Sequence, residues 1–151
     1  MKHVDIWTDG ASKGNPGPGG YGVVIKYVDE DGAKKRVEIS DAFESTTNNR
    51  MELLSAIIAL ENLKEACDVT LTSDSRYLVD AYNKKWIESW LKTDFRRGKK
   101  DEVKNIDLWE RMIKLTNFHR VTFVWVKGHA DNVENERCDA LANEAIKKRV
   151  G

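Results

Sequence analysis

A chain of 151 residues with 25 basic and 25 acidic side chains has the size of one domain, expected here as a single unit over 1–151, and its formal charge of zero excludes a protein that grips nucleic acid by bulk charge alone. No run of about 18 apolar residues is present to form a membrane helix, and Met1-Lys2-His3-Val4-Asp5 lacks the apolar stretch of a signal peptide. Cys67 and Cys138 stand far apart in no metal-ligand spacing, which suits a reducing compartment and gives a cytoplasmic expectation.

Val4 to Asp9 reads as a strand ending at Gly10, and Ser12 to Gly20 as a loop whose glycines and prolines rule out a regular element. Tyr21 to Val28 and Lys34 to Phe43 read as two more strands around an Asp29-Glu30-Asp31-Gly32 turn. From Thr47 the period becomes helical, with Met51, Leu54, Ile57, Ile58 and Leu63 as apolar marks. Val69 to Ser73 is a short buried strand, followed by a helix from Ser75 to about Asn83. The stretch 84–104 is charged and carries tryptophans. A helix marked by Ile106, Trp109, Ile113 and Leu115, a strand from Val121 to Val126 and a helix from Glu134 to Lys148 complete the chain. The order βββαβαβα implies an α/β (mixed α+β) fold, with a five-stranded mixed sheet flanked by helices.

Four acids draw attention by their placement. Asp9 and Asp74 stand at the ends of strands, where ligand sites in helix-covered sheets gather. Their ordinary alternatives are a turn residue before Gly10 and an N-cap for the following helix. Glu52 shares a helix face with Ala56, Ala59 and Leu63, a stripe that packs rather than faces water. Asp139 borders the Cys138, Leu141, Ala142, Ala145 stripe, and its ordinary reading is an exposed boundary acid. Two unit charges about 4 Å apart repel by roughly 4 kcal/mol at an effective dielectric near 20, so convergence of these acids requires cations or shared protons. Hard oxygen donors without a Cys or His cluster select Mg²⁺, with Mn²⁺ able to substitute.

The local words then become specific. Thr8-Asp9-Gly10 with Gly14-Asn15-Pro16-Gly17-Pro18-Gly19-Gly20, Thr47-Asn48-Asn49-Arg50-Met51-Glu52, Asp74-Ser75 with Tyr77, Val126-Lys127-Gly128-His129-Ala130, and Glu134-Asn135-Glu136-Arg137-Cys138-Asp139 resemble ribonuclease HI, in that family's order and over nearly the whole chain. The resemblance is to the bacterial type without an added hybrid-binding module. It implies a ribonuclease H-like fold and a monomeric endonuclease, with no membrane partner. That enzyme would cleave the RNA strand of RNA–DNA hybrids by a two-metal-ion mechanism, leaving 5′-phosphate and 3′-hydroxyl ends. By resemblance Asp9, Glu52, Asp74 and Asp139 are the metal-binding acids and His129 is a mobile histidine assisting proton transfer or product release. Without the resemblance, His129 reads as a plain loop histidine.

Substrate contacts follow in the same way. Asn15, Asn48, Asn49 and Glu52 would read the 2′-hydroxyl, which both donates and accepts, and Thr47 would hold a DNA phosphate. Helix capping by Thr47 or Asn48 is the ordinary alternative. The stretch 84–104 holds eight basic side chains, among them Arg96, Arg97, Lys99 and Lys100, against four acids. Tyr77, Trp86 and Trp90 match the family's aromatic channel beside this basic protrusion; the alternative is a solvated helix pair with tryptophans in the core. After His129 the chain departs from the family's usual Gly-His-Pro, carrying Asp131-Asn132-Val133 and so an extra acid near the histidine.

Three rival readings remain. Another carboxylate nuclease, such as a 3′–5′ exonuclease or transposase core, would open on Asp-x-Glu in the exonuclease case, where this chain has Asp9-Gly10-Ala11. A hybrid-binding module without catalysis would lack one of the four acids. A plain structural domain leaves the acids on packed faces unexplained.

Overall fold

The computed structural model describes residues 1–95, 103–128 and 132–150. Strands β1 (Lys2–Ser12), β2 (Gly17–Val28) and β3 (Lys34–Thr46) are followed by α1 (Asn48–Glu61), β4 (Cys67–Ser73), α2 (Arg76–Asn83), α3 (Trp86–Lys92), α4 (Ile106–Phe118), β5 (Arg120–Trp125) and α5 (Val133–Val150). The sheet order is β3-β2-β1-β4-β5, with β1–β2 and β2–β3 antiparallel and β1–β4 and β4–β5 parallel. The five-stranded mixed sheet is the one expected.

Three details differ from the sequence reading. The glycine-rich segment is not wholly loop, because β2 begins at Gly17. Gly19 pairs with Ser12 and Gly20 with Ala11, and the β2–β3 register shifts between Gly17 and Gly19. Pro18, which has no N–H to give a ladder, sits at that irregularity. β1 likewise runs past Asp9 to Ser12, so Asp9 is inside the strand rather than at its end. Between β4 and β5 there are three helices, α3 being added to the two read from the sequence around 75–83 and 106–115. Lys85 (φ 61°) and Asn105 (φ 61°) take left-handed conformations that separate α3 and α4 from what precedes them.

Alternation along the strands divides the core. Val4, Ile6, Val23 and Ile25 pack with Met51, Leu53, Ile57 and Leu60 of α1, whose other side meets α4. Helix α1 is therefore buried on nearly all sides. Val24 on the opposite sheet face packs with Cys138 and Leu141 of α5 and the half-buried Trp7. The first turns of α5 are fastened to β2 and β3 by charge. Glu134 accepts from Lys26 and Arg36, and Arg137 forks onto Glu38 at 2.9 and 3.0 Å. At the far end of the sheet the buried His119 accepts the Cys67 N–H on Nδ1 at 3.1 Å.

Candidate active site

Parallel pairing of β1 with β4 ends at Thr8 opposite Ser73. The residue after each is an aspartate, so Asp9, within β1, and Asp74, just past β4, lie side by side where the parallel pairing ends. Two glycines bring the helices to them. A Cβ at Gly10 would lie 2.5 Å from the Glu52 nitrogen and 2.5 Å from the Met51 carbonyl carbon, so only a bare backbone lets the start of α1 descend onto β1. Gly22 pairs with Asp9 and shares its face of the sheet. A Cβ there would run into the Cys138 carbonyl oxygen, which sets α5, and Asp139 with it, beside Asp9.

One carboxylate oxygen from each of Asp9, Glu52 and Asp74 lies within 4.8 Å of the others. Glu52 is only 5% exposed, and its Oε2 is buried with no hydrogen-bond partner. Burial above all, then repulsion from Asp9 and Asp74, pushes its carboxyl well above the usual range. Asp9 is pushed up to about 8 by burial and by the charges of Asp74 and Asp139, although the Gly10 N–H donates to its Oδ1 at 3.0 Å. Carboxylates left this costly suit a divalent cation of the hard, oxygen-seeking kind. No cysteine or histidine joins the group among the described residues. Asp139 is half-buried and stands outside the group of three, although its charge is felt at Asp9.

The capping alternative is settled separately for each acid and its neighbours. Ser75, not Asp74, caps α2 through its hydroxyl, and Thr47 caps α1 by accepting the Arg50 N–H at 3.2 Å. Asn15 Oδ1 accepts the Asn48 N–H at 2.8 Å, joining the glycine-rich segment to the start of α1, while Asn48 and Asn49 are exposed. A cavity of about 430 Å³ is lined by Asn49, Tyr77, Trp86, Trp90, Val103 and Lys104. Its tryptophans divide their work. Trp90 is 9% exposed and packs edge-on against Trp109 at 5.1 Å, whereas Trp86 is 37% exposed. The Tyr77 hydroxyl is turned inward, accepting from Trp109 Nε1 at 3.0 Å and from Asn105 Nδ2 at 3.2 Å.

Sequence reasoning gave no role to Arg50, which donates to Asn105 and forks onto Asp107 and so ties α1 to α4. It also missed Trp125, whose indole donates to the Asp74 carbonyl at 3.0 Å and carries Arg76 stacked 3.9 Å above its ring. His129, Asp131, Arg96, Arg97, Lys99 and Lys100 lie outside the described residues.

Comparison with known proteins adds an independent line. The family model described as RNase H matches residues 1–147. A curated Ribonuclease H of Lachnoclostridium phytofermentans is 52% identical over 143 residues, covering 94% of this chain and 90% of its own. Among solved structures, LC9-RNase H1, described as a type 1 RNase H with the type 2 active-site motif, superposes with a TM-score of 0.87 at 32% identity, covering 99% of this chain and 74% of that one. LC11-RNase H1 in complex with an RNA/DNA hybrid gives a TM-score of 0.70 at 29% identity, covering 98% of this chain and 99% of that one.

Proposed function

Because this chain belongs to the ribonuclease H family, we propose that it is a metal-dependent endonuclease that hydrolyses the RNA strand of RNA–DNA hybrids and leaves 5′-phosphate and 3′-hydroxyl ends. The observation that carries this reading is the meeting of Asp9, Glu52 and Asp74 within 4.8 Å, with a buried oxygen of Glu52 left unpaired. The ions are read as Mg²⁺, with Mn²⁺ able to substitute, because all the donors are hard oxygens. The protein is read as a cytoplasmic monomer forming one ribonuclease H domain over 1–151, with removal of hybrid primers and R-loops as its role. No helix of the described residues is long and apolar enough to cross a membrane.

Asp9, Glu52, Asp74 and Asp139 are the residues that would hold the ions. Ions held there would supply Lewis-acid chemistry, an activated water and compensation of charge on a leaving oxygen. The chain's own residues do the rest. Burial around Glu52 and Asp9 excludes water and raises the worth of each charge in the site. Asn15, Asn48, Asn49 and Glu52 offer donors and acceptors to a 2′-hydroxyl, and Thr47 offers its hydroxyl to a phosphate of the DNA strand. Tyr77, Trp86 and Trp90 with Lys104 form an apolar wall with a cationic rim for that strand. Trp86 makes the exposed contact, while Trp90 and Tyr77 back it. Arg96, Arg97, Lys99 and Lys100 supply phosphate contacts, and His129 takes the proton-transfer or product-release role.

Incubating labelled RNA–DNA hybrid, RNA–RNA and DNA–DNA duplexes with Mg²⁺, and again with EDTA, tests the reading. Only the RNA of the hybrid should be cut, and only with the metal present. A hybrid with uniformly 2′-O-methylated RNA should resist. Cutting of either homoduplex at the hybrid's rate would overturn the substrate assignment.

A further inference from the structure

We propose that Lys13 and Asn143 form a positioning pair that sets the Asp139 carboxylate for metal binding; the proposal rests on Asp139 being a metal ligand, as read above. Asp139 and Asn143 are four residues apart on α5 and so share a face. The Asn143 Nδ2 donates to the Asp139 main-chain oxygen at 2.9 Å and to its Oδ1 at 3.2 Å. On its other side the Asn143 Oδ1 accepts from Lys13 Nζ at 3.2 Å. Lys13 comes from the glycine-rich segment between β1 and β2, at the opposite end of the sequence. It neighbours Ser12, whose hydroxyl lies 3.2 Å from the oxygen of Asn15.

An amide held between a cation and a carboxylate has one workable orientation. Turned over, it would set its oxygen against the Asp139 oxygens and its NH₂ against the ammonium group. Lys13 thereby fixes which end of Asn143 faces Asp139. Asparagine is a poor residue for the interior of an 18-residue helix, because its side chain competes for backbone bonds. Here that competition has a specific object, one oxygen of the acid that stands outside the group formed by Asp9, Glu52 and Asp74. A donor on one oxygen restricts the carboxylate to a small range of rotations and keeps it from turning away before a cation arrives. Outer partners of this kind orient ligands, and losing one typically weakens metal binding by about 10–100-fold.

The test is Mn²⁺ binding to the substrate-free protein, followed by electron paramagnetic resonance, in wild type, Asp139→Asn, Asn143→Ala, Asn143→Leu and Lys13→Ala. Asp139→Asn defines the binding that needs this carboxylate. Both Asn143 variants should weaken that binding by about tenfold or more. Asn143→Leu keeps the bulk and improves helix propensity, so a loss there is not a folding defect. Lys13→Ala should weaken it by a smaller factor, and Lys13→Ala with Asn143→Ala should be no worse than Asn143→Ala alone, because Lys13 acts through Asn143. In turnover, the Mg²⁺ concentration for half-maximal rate should rise while KM for the hybrid stays constant. Mn²⁺ binding at wild-type strength in Asn143→Leu, with Asp139→Asn impaired, would overturn the positioning role. Wild-type binding in Asp139→Asn would instead overturn the metal-ligand reading beneath it.

Discussion

At Asp9 the tension of the site is stored in a single proton. Its carboxyl is raised to about 8 by burial and by neighbouring acids, against an unfolded value near 3.9. An acid raised on folding holds a proton that the unfolded chain releases, so the metal-free fold is most stable below about pH 4 as far as this group is concerned. That contribution is lost as pH rises from about 4 to about 8. Asp9→Asn removes the titration. It should raise the thermal midpoint of the metal-free protein at pH 8 by roughly 4–8 °C, the equivalent of about 2 kcal/mol at this size. It should also lower cleavage by more than about a hundredfold, the scale of losing one electrostatic group from a site. Scanning calorimetry in EDTA at pH 5 and pH 8 checks the first, and a gel assay the second; an unchanged midpoint at pH 8 would mean Asp9 is not strained. His119 shows the opposite sign. Burial lowers its pKa, with the Leu60 backbone opposing, so it is neutral in the fold and gains a proton on unfolding below about pH 6.5. With Nδ1 accepting from Cys67, the proton must sit on Nε2. Nitrogen-15 spectra of the ring at pH 7 should show that neutral Nε2–H tautomer, and a proton on Nδ1 would contradict the bond from Cys67.

Between elements, the site depends on close approaches that leave no local trace in the sequence. Gly22→Ala should push α5 from β2, lowering stability by about 1–3 kcal/mol and moving Asp139 away from Asp9. Urea unfolding measures the first effect, and a higher Mg²⁺ requirement the second; an unchanged requirement would show that α5 tolerates the added methyl in place. The sequence was legible where periodicity carried the information. Glu52 stood out because Ala56 and Ala59 share its stripe, and both are fully buried. The five strands and a helix starting at Thr47 or Asn48 followed from patterns a few residues long, whereas the parallel alignment that sets Asp9 beside Asp74 did not. The left-handed Lys85 and Asn105 were not legible, since neither residue announces a positive φ as glycine would. Nor could spacing tell Trp86 from Trp90, because the partner that buries Trp90 is Trp109, on another helix. Asp139 and its tie to Lys13 join opposite ends of the chain, and only packing brings them together.

At the scale of the whole molecule, neutrality conceals a concentration of positive charge in 84–104. Replacing Arg96, Arg97, Lys99 and Lys100 with alanine should raise KM for the hybrid with kcat little changed. It should also flatten the slope of log affinity against log salt by up to about 0.9 for each phosphate contact removed. Steady-state kinetics at two salt concentrations decide it, and a collapsed kcat at constant KM would place this stretch in the chemistry rather than in binding. The topology has its own bearing on when that chemistry begins. Helix α5 is synthesised well after β1, β2 and β3, on which it packs. A chain still on the ribosome can pair its opening strands early, but it lacks the helix that covers Val24 and carries Asp139. The sheet face that carries Val24 is therefore covered only once α5 has joined strands made more than a hundred residues earlier. Asp139, the acid proposed as the fourth ligand, thus joins the site after the three that meet at β1, α1 and β4.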